Sequence, residues 1–189
     1  AARPSRPTAA SRLARTLGGM KIRPAVVPDA DAIATVHVRS WQVAYAHLLS
    51  ANFLASLSIE QRAQRWAEVL QAAESATVVA ELAGTVKAFV SFARCRDAGA
   101  PEGRAEIWAL YASPDAWDKG LGRALLTHAL ASLQAQGFRE TSLWVLSGNA
   151  RGVRFYGAAG FKPVPGSQKV FTLGGTQVEE TQFLLQHAA

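Results

Sequence analysis

The spacing of apolar positions changes several times along the chain, and each change marks an element. Lys21–Val27 reads as a short strand closed by Pro28. Ile33, Val36, His37, Val38, Trp41 and Tyr45 then fall on one helical face, with Asp29 or Asp31 placed to cap the helix. Residues 52–56 read as a helical turn, and Ser58 three before Gln61 predicts a capping box opening a helix that carries Trp66, Val69 and Leu70. Two β-rich runs, Thr77–Leu82 and Thr85–Ala93, are joined at Ala83-Gly84 as a hairpin, and a loop over 97–103 leads to a third run, Ala105–Ala112. A helix reaching about Gln136 buries Leu126, Ala129, Leu130 and Leu133, and Gly137 suits its C-terminal stop. Leu143–Leu146 reads as a buried strand, Asn149 to about Ala159 as a helix stopped by Gly160, and Lys169–Leu173 with Gln177–Leu185 as a closing hairpin. The order β-α-α-β-β-β-α-β-α-β-β predicts one α/β domain over 20–189, with a mixed, largely antiparallel central sheet flanked by helices. The last strand reads as exposed, which would allow a homodimer.

Composition narrows the classes. A chain of 189 residues, 49% hydrophobic, suits one domain with a substantial core. No uninterrupted apolar run approaches the roughly 20 residues needed to span a bilayer, so a soluble protein is expected. Cys95 is the only cysteine, which excludes an intramolecular disulfide and makes a reducing compartment, the cytoplasm, the simplest expectation. His37, His47, His128 and His187 are scattered without metal-ligand spacing, so no metal is expected. The net charge of +6 is concentrated at the start: without Arg3, Arg6, Arg12 and Arg15, the 20 basic residues fall to 16 against 14 acids. No basic stripe or interleaved aromatics remain, so no nucleic-acid partner is expected. Residues 1–19 lack an apolar h-region and are not a secretory signal. They read as a disordered basic extension or expression remnant ahead of Met20, or as an Arg-rich organellar transit peptide.

One stretch points to chemistry. Tyr111-Ala112-Ser113-Pro114-Asp115-Ala116-Trp117-Asp118-Lys119-Gly120-Leu121-Gly122-Arg123-Ala124 runs from a strand through a glycine pair into a helix. The first turn of a helix has backbone N–H groups without intrahelical partners, and its dipole favours an anion there. Glycines let a diphosphate approach the backbone, and Lys119 and Arg123 add positive charge. Paired glycines alone also mark ordinary turns.

A second motif decides between these readings. Asn149-Ala150-Arg151-Gly152-Val153-Arg154-Phe155-Tyr156-Gly157-Ala158-Ala159-Gly160-Phe161 follows the loop in order and on the expected elements. With both motifs, the chain resembles the GNAT superfamily of acetyl-CoA-dependent N-acetyltransferases. That family's loop reads Gln/Arg-x-x-Gly-x-Gly/Ala, and Trp117 stands where Gln or Arg is usual. The resemblance implies acetyl-CoA as co-substrate, with its diphosphate on Asp118, Lys119, Gly120, Leu121, Gly122, Arg123 and Ala124. It implies pantetheine along Leu110, Tyr111 and Ala112, and a thioester held where that strand splays from the one around Leu143–Leu146. Asn149 would hydrogen-bond the coenzyme or merely cap its helix. Asp118 is unfavourable beside phosphate unless it points outward or caps the helix.

Acetyl transfer to an amine needs a free nucleophile, a polarised carbonyl and a proton for the departing thiolate. Tyr156 shares a helix face with Asn149 and is the candidate acid. Glu106, fourteen residues before Gly120, resembles the general base of the histone-acetylating branch, or is an edge carboxylate facing solvent. Alternation places Glu106 and Trp108 on one face and Ile107 and Ala109 on the other. His37, Trp41, Tyr45, His47 and Trp144 are acceptor-pocket candidates or simply core, and His37 is the second choice as base. The expected activity is transfer of acetyl to a primary amine of a small molecule or peptide, by direct attack in a ternary complex. Cys95 lies outside both motifs, so no acetyl-enzyme is expected. The alternative is a non-catalytic acyl-CoA-binding regulatory module.

Overall fold

The computed structural model describes residues 19–187. The expectation of an extension over 1–19 therefore falls, but for Gly19, outside the described residues. Strand β1 (Met20–Pro24) ends three residues before the predicted Val27, because Val27–Asp29 tightens into a 3₁₀ turn. Helix α1 (Ala30–Ala44) follows, then α2 (Ala51–Ala55) and α3 (Ile59–Ala72). Serines start the latter two: Ser50 Oγ accepts from Phe53 N at 3.3 Å and Ser58 Oγ from Gln61 N at 3.2 Å. The central hairpin is β2 (Ala76–Leu82) and β3 (Thr85–Arg94), followed by β4 (Arg104–Ala112). Helix α4 (Leu121–Ala135), strand β5 (Glu140–Leu146) and helix α5 (Ala150–Ala158) carry both motifs. The two-residue strand β6 (Lys162–Pro163), too short for any apolar pattern, precedes β7 (Lys169–Leu173) and β8 (Thr176–Gln186).

The sheet runs β1-β2-β3-β4-β5-β8-β6, with β7 also on β8. Among the described residues, only the β4–β5 pairing is parallel. Strand β8 is interior, flanked by β5 on one edge and by β6 and β7 on the other, so the expectation of an exposed last strand is corrected. Alternation along the strands builds two cores. Val79 and Phe89 pack under Ile33, Val36 and Trp66 of α1 and α3. Val90, Phe92, Leu143 and Val145 pack under Leu125, Ala129 and Leu133 of α4, with Phe161 beside them. A smaller cluster of Tyr45, Leu49 and Leu54 closes the end of the sheet over Leu146 and Val178. Among the described residues, no helix is long and apolar enough to cross a membrane.

Two irregularities open this sheet. β4 and β5 pair over only three positions, Arg104↔Glu140 to Glu106↔Ser142, and then separate. On its other edge β4 carries a bulge: Ser91 pairs with Ala109 and Phe92 with Ile107, leaving Trp108 as the extra residue. The bulge reverses the side-chain parity. Ile107 faces the α4 core together with Leu110 and Ala112, whereas Ala109 and Tyr111 face the α1–α3 core. The simple alternation expected along 106–109 is therefore corrected.

Candidate active site

The separation of β4 from β5 leaves a cavity of about 510 Å³. Its walls are Ile107 to Ala112 of β4 and Leu143, Trp144 and Val145 of β5. The loop from Ala116 into α4, Ser40 and Ala44 of α1, Tyr45 just after that helix, and Asn149, Phe155 and Tyr156 also line it. Backbone groups on the open edge of β4 lose their strand partner, and some are taken up locally. The Ala112 carbonyl accepts from Ser40 Oγ at 2.7 Å and from Trp117 Nε1 at 2.8 Å.

The glycine loop has the features of an anion cradle. Gly120 caps α4 at φ +81°, a left-handed conformation that favours glycine, and contributes no side-chain cap. No acid occupies the first turn, so its N–H groups remain available to a ligand. Gly122 keeps the floor low beside Phe155, whose ring would lie 3.5 Å from a Cβ there. Asp118 is 84% exposed and pairs with Arg151 at 2.9 Å rather than capping the helix. Of the residues expected at the diphosphate, Asp118, Gly120, Leu121, Gly122 and Arg123 line the cavity; Lys119 and Ala124 do not. The pantetheine candidates Leu110, Tyr111 and Ala112 all line it.

Three tyrosines, Tyr45, Tyr111 and Tyr156, share this cavity. Asn149 caps α5, its Oδ1 accepting from Gly152 N at 2.9 Å. It also lines the cavity. A Cβ at Gly152 would lie 2.6 Å from Asn149 Nδ2, so any larger residue there would have to displace the capping side chain. Two turns on, Tyr156 is held edge-on between Phe155 and Phe161, with ring centroids at 5.1 and 5.9 Å. Burial raises the pKa of its phenol above the ordinary value, with Tyr111 adding to the rise. Burial likewise raises Tyr45 and Tyr111. All three phenols are thus protonated donors at neutral pH.

The structure separates the acceptor-pocket candidates. Tyr45 and Trp144 line the cavity; His37 and Trp41 do not, the His37 ring stacking on Tyr111 at 4.6 Å and Trp41 packing edge-on against Tyr45 at 5.2 Å. His47 is also outside the lining, its Nε2 3.0 Å from the Gly148 carbonyl, where it ties the α1–α2 connection to the β5–α5 loop. Neither base candidate is poised over the cavity. Glu106 is 3% exposed and absent from the lining, and its carboxylate accepts from Arg96 Nη2 at 2.6 Å, Nε at 3.2 Å and backbone N at 3.0 Å. His37 Nδ1 accepts from Trp66 Nε1 at 3.2 Å, which leaves the proton on Nε2, a buried atom without a hydrogen-bond partner. Cys95 lies outside the cavity, 3.5 Å from Ser142 Oγ. Ser40, Trp108 and Arg151 also line the cavity, none of them a site candidate from the sequence.

His37 gives a pH prediction. Burial, helped by Arg62, lowers its pKa from 6.5 to about 3. Between those values the unfolded imidazole binds a proton that the folded one refuses, so stability falls as pH falls. The slope is about 1.4 kcal/mol per pH unit at most. Urea unfolding from pH 7 to 4 should show this acid loss, and His37→Gln, which retains an acceptor for Trp66, should flatten it by about one proton. An unchanged slope would contradict the assignment.

A parallel pair that splits beside a glycine-rich helix start, with the Tyr156 phenol in the same cavity, matches what the resemblance to acetyl-CoA-dependent transferases implies. Comparison with known proteins agrees. The model of the acetyltransferase (GNAT) family matches residues 38–161, and the chain belongs to that family. It is 29% identical over 160 residues to the uncharacterized N-acetyltransferase YuaI of Bacillus subtilis (strain 168), covering 84% of this chain and 88% of YuaI. The yncA protein of Salmonella typhimurium, assigned as an acetyltransferase and solved with its cofactor acetyl-CoA, has a TM-score of 0.66 at 25% identity, covering 90% of this chain and 97% of that one. The PaiA N-acetyltransferase of Thermoplasma acidophilum, solved with coenzyme A, shares the fold at a TM-score of 0.66 and 23% identity, over 86% of this chain and 98% of its own. The chain is an acetyl-CoA-dependent acyltransferase of the N-acetyltransferase type.

Proposed function

We propose that the enzyme transfers acetyl from acetyl-CoA to a primary amine of a small molecule or peptide in the cytoplasm, by direct attack within one ternary complex. One observation carries this reading: a single cavity joins the amide cradle at Gly120–Arg123 to the phenol of Tyr156. The co-substrate supplies the activated thioester. The first-turn amides of α4 and Arg123 hold the diphosphate, and the open edge of β4 at Leu110–Ala112 pairs with pantetheine. Backbone N–H groups on that edge polarise the thioester carbonyl. As the amine nitrogen bonds to the carbonyl carbon and the carbon–sulfur bond breaks, Tyr156 donates its proton to the leaving sulfur. The proton shed by the amine leaves through water and restores the phenol. Glu106, held by Arg96, and His37, with no free lone pair, take no direct part. Tyr45 and Trp144 form the acceptor wall.

With an acceptor amine found by screening, initial rates varied in both substrates should give intersecting double-reciprocal lines, and Cys95→Ser should retain turnover. Parallel lines, or a dead Cys95→Ser enzyme, would replace direct attack with an acetyl-enzyme route.

A further inference from the structure

The coenzyme loop lacks the side chain that resembling loops carry at its first position, where Trp117 stands. We infer that Arg151, reaching across from the first turn of α5, supplies the missing cation to the coenzyme diphosphate, with Trp117 as its platform and Asp118 as its tether. This rests on acetyl-CoA occupying the cavity as described above.

Four observations support it. The Trp117 indole is fixed, Nε1 donating to the Ala112 carbonyl at 2.8 Å, and the Arg151 guanidinium lies over its ring with Cζ 4.5 Å from the centroid. Arg151 Nη2 donates to Asp118 Oδ1 at 2.9 Å. Stacking and tether together orient a planar fork in advance, as a lysine at the same place would not be oriented. The fork has five N–H donors, so most remain for phosphate oxygens. Trp117, Asp118 and Arg151 all line the cavity beside Gly120 and Gly122.

Neither stability nor helix formation explains the arrangement. The Arg151 and Asp118 side chains are 46% and 84% exposed, and such pairs contribute little to folding. A cation at the second position of α5 opposes the helix dipole, and no acid in that first turn offsets it. Arg123 and Arg151 therefore line the same cavity as the uncapped start of α4, which suits an anion. Arg151 also pairs the charge of Asp118, whose φ of +61° sets its backbone in the loop.

The test is calorimetry with coenzyme A, 3′-dephospho-coenzyme A and pantetheine on the wild type, Arg151→Gln and Arg151→Lys. Arg151→Gln should bind both nucleotide forms about 10- to 100-fold more weakly, the loss of one charge-assisted contact, with pantetheine unchanged. Arg151→Lys should recover only part of the loss, and Asp118→Asn should bind coenzyme A at least as tightly as the wild type. Unligated melting points should match, which separates lost contact from lost fold. Unchanged affinity of Arg151→Gln for coenzyme A overturns the inference while leaving the coenzyme site standing. A loss that disappears with 3′-dephospho-coenzyme A moves the contact to the ribose phosphate and overturns the diphosphate assignment. A loss shared by pantetheine reveals general damage and also overturns it. If the wild type binds no coenzyme A, the functional reading fails and this inference falls with it.

Discussion

Tyr156→Phe should lower turnover by about 10²- to 10⁴-fold, the usual contribution of a positioned general acid, while acetyl-CoA binds as it does to the wild type. The substitution deletes one hydroxyl and keeps the ring between Phe155 and Phe161, so the α5 packing survives. The expected cause is specific. Burial holds the phenol protonated well above neutral pH, so it is available as an acid throughout the range in which a neutral amine can attack. The wild-type pH profile should accordingly show no falling limb from Tyr156 below about pH 10, the ordinary phenol value. Turnover and coenzyme affinity measured on the same preparations check this. Equal loss of affinity and turnover would mean that Tyr156 only shapes the cavity.

Gly122→Asp should reduce coenzyme affinity by about 100-fold or more while leaving the unligated protein as stable as the wild type or slightly more so. Residue 122 is the second of α4, a helix start with no acid and no side-chain cap. A carboxylate there takes up the free amides and gains about 0.3–1 kcal/mol from the helix dipole. It also occupies the anion site and repels the diphosphate, removing charge-assisted hydrogen bonds that contribute about 1.5–3 kcal/mol each. A Cβ at 122 meets Phe155 only at ordinary van der Waals distance, so steric damage does not account for a loss. Thermal melts with and without coenzyme A separate the two effects. Gain of stability with unchanged affinity would place the diphosphate elsewhere.

Features set by local chemistry were legible in the sequence. Ser58 capping onto Gln61, Asn149 opening α5 and Gly120 turning into α4 depend on residues within a few positions of one another. Features set by partners distant in the chain were not. The bulge at Trp108 is a property of its register with Ser91 and Phe92, and it decides which core Ile107 and Ala109 face. Glu106 carries the residue type and offset of a base, but Arg96, on the preceding loop, claims its carboxylate. His37 and Trp41 have the spacing of a pocket wall, yet neither lines the cavity: His37 stacks on Tyr111 of β4, and Trp41 packs edge-on against Tyr45. The meeting of Arg151 with Trp117 joins two motifs whose separate patterns do not mention each other.

The most direct test of the account follows thiol release and acetylated amine together, in one preparation, across a panel of small amines and peptides with acetyl-CoA. The account predicts that one amine class yields both products in equal amounts and saturates with acetyl-CoA. Tight acetyl-CoA binding with neither product from any amine would contradict it, and would leave a chain that holds the coenzyme without performing the transfer.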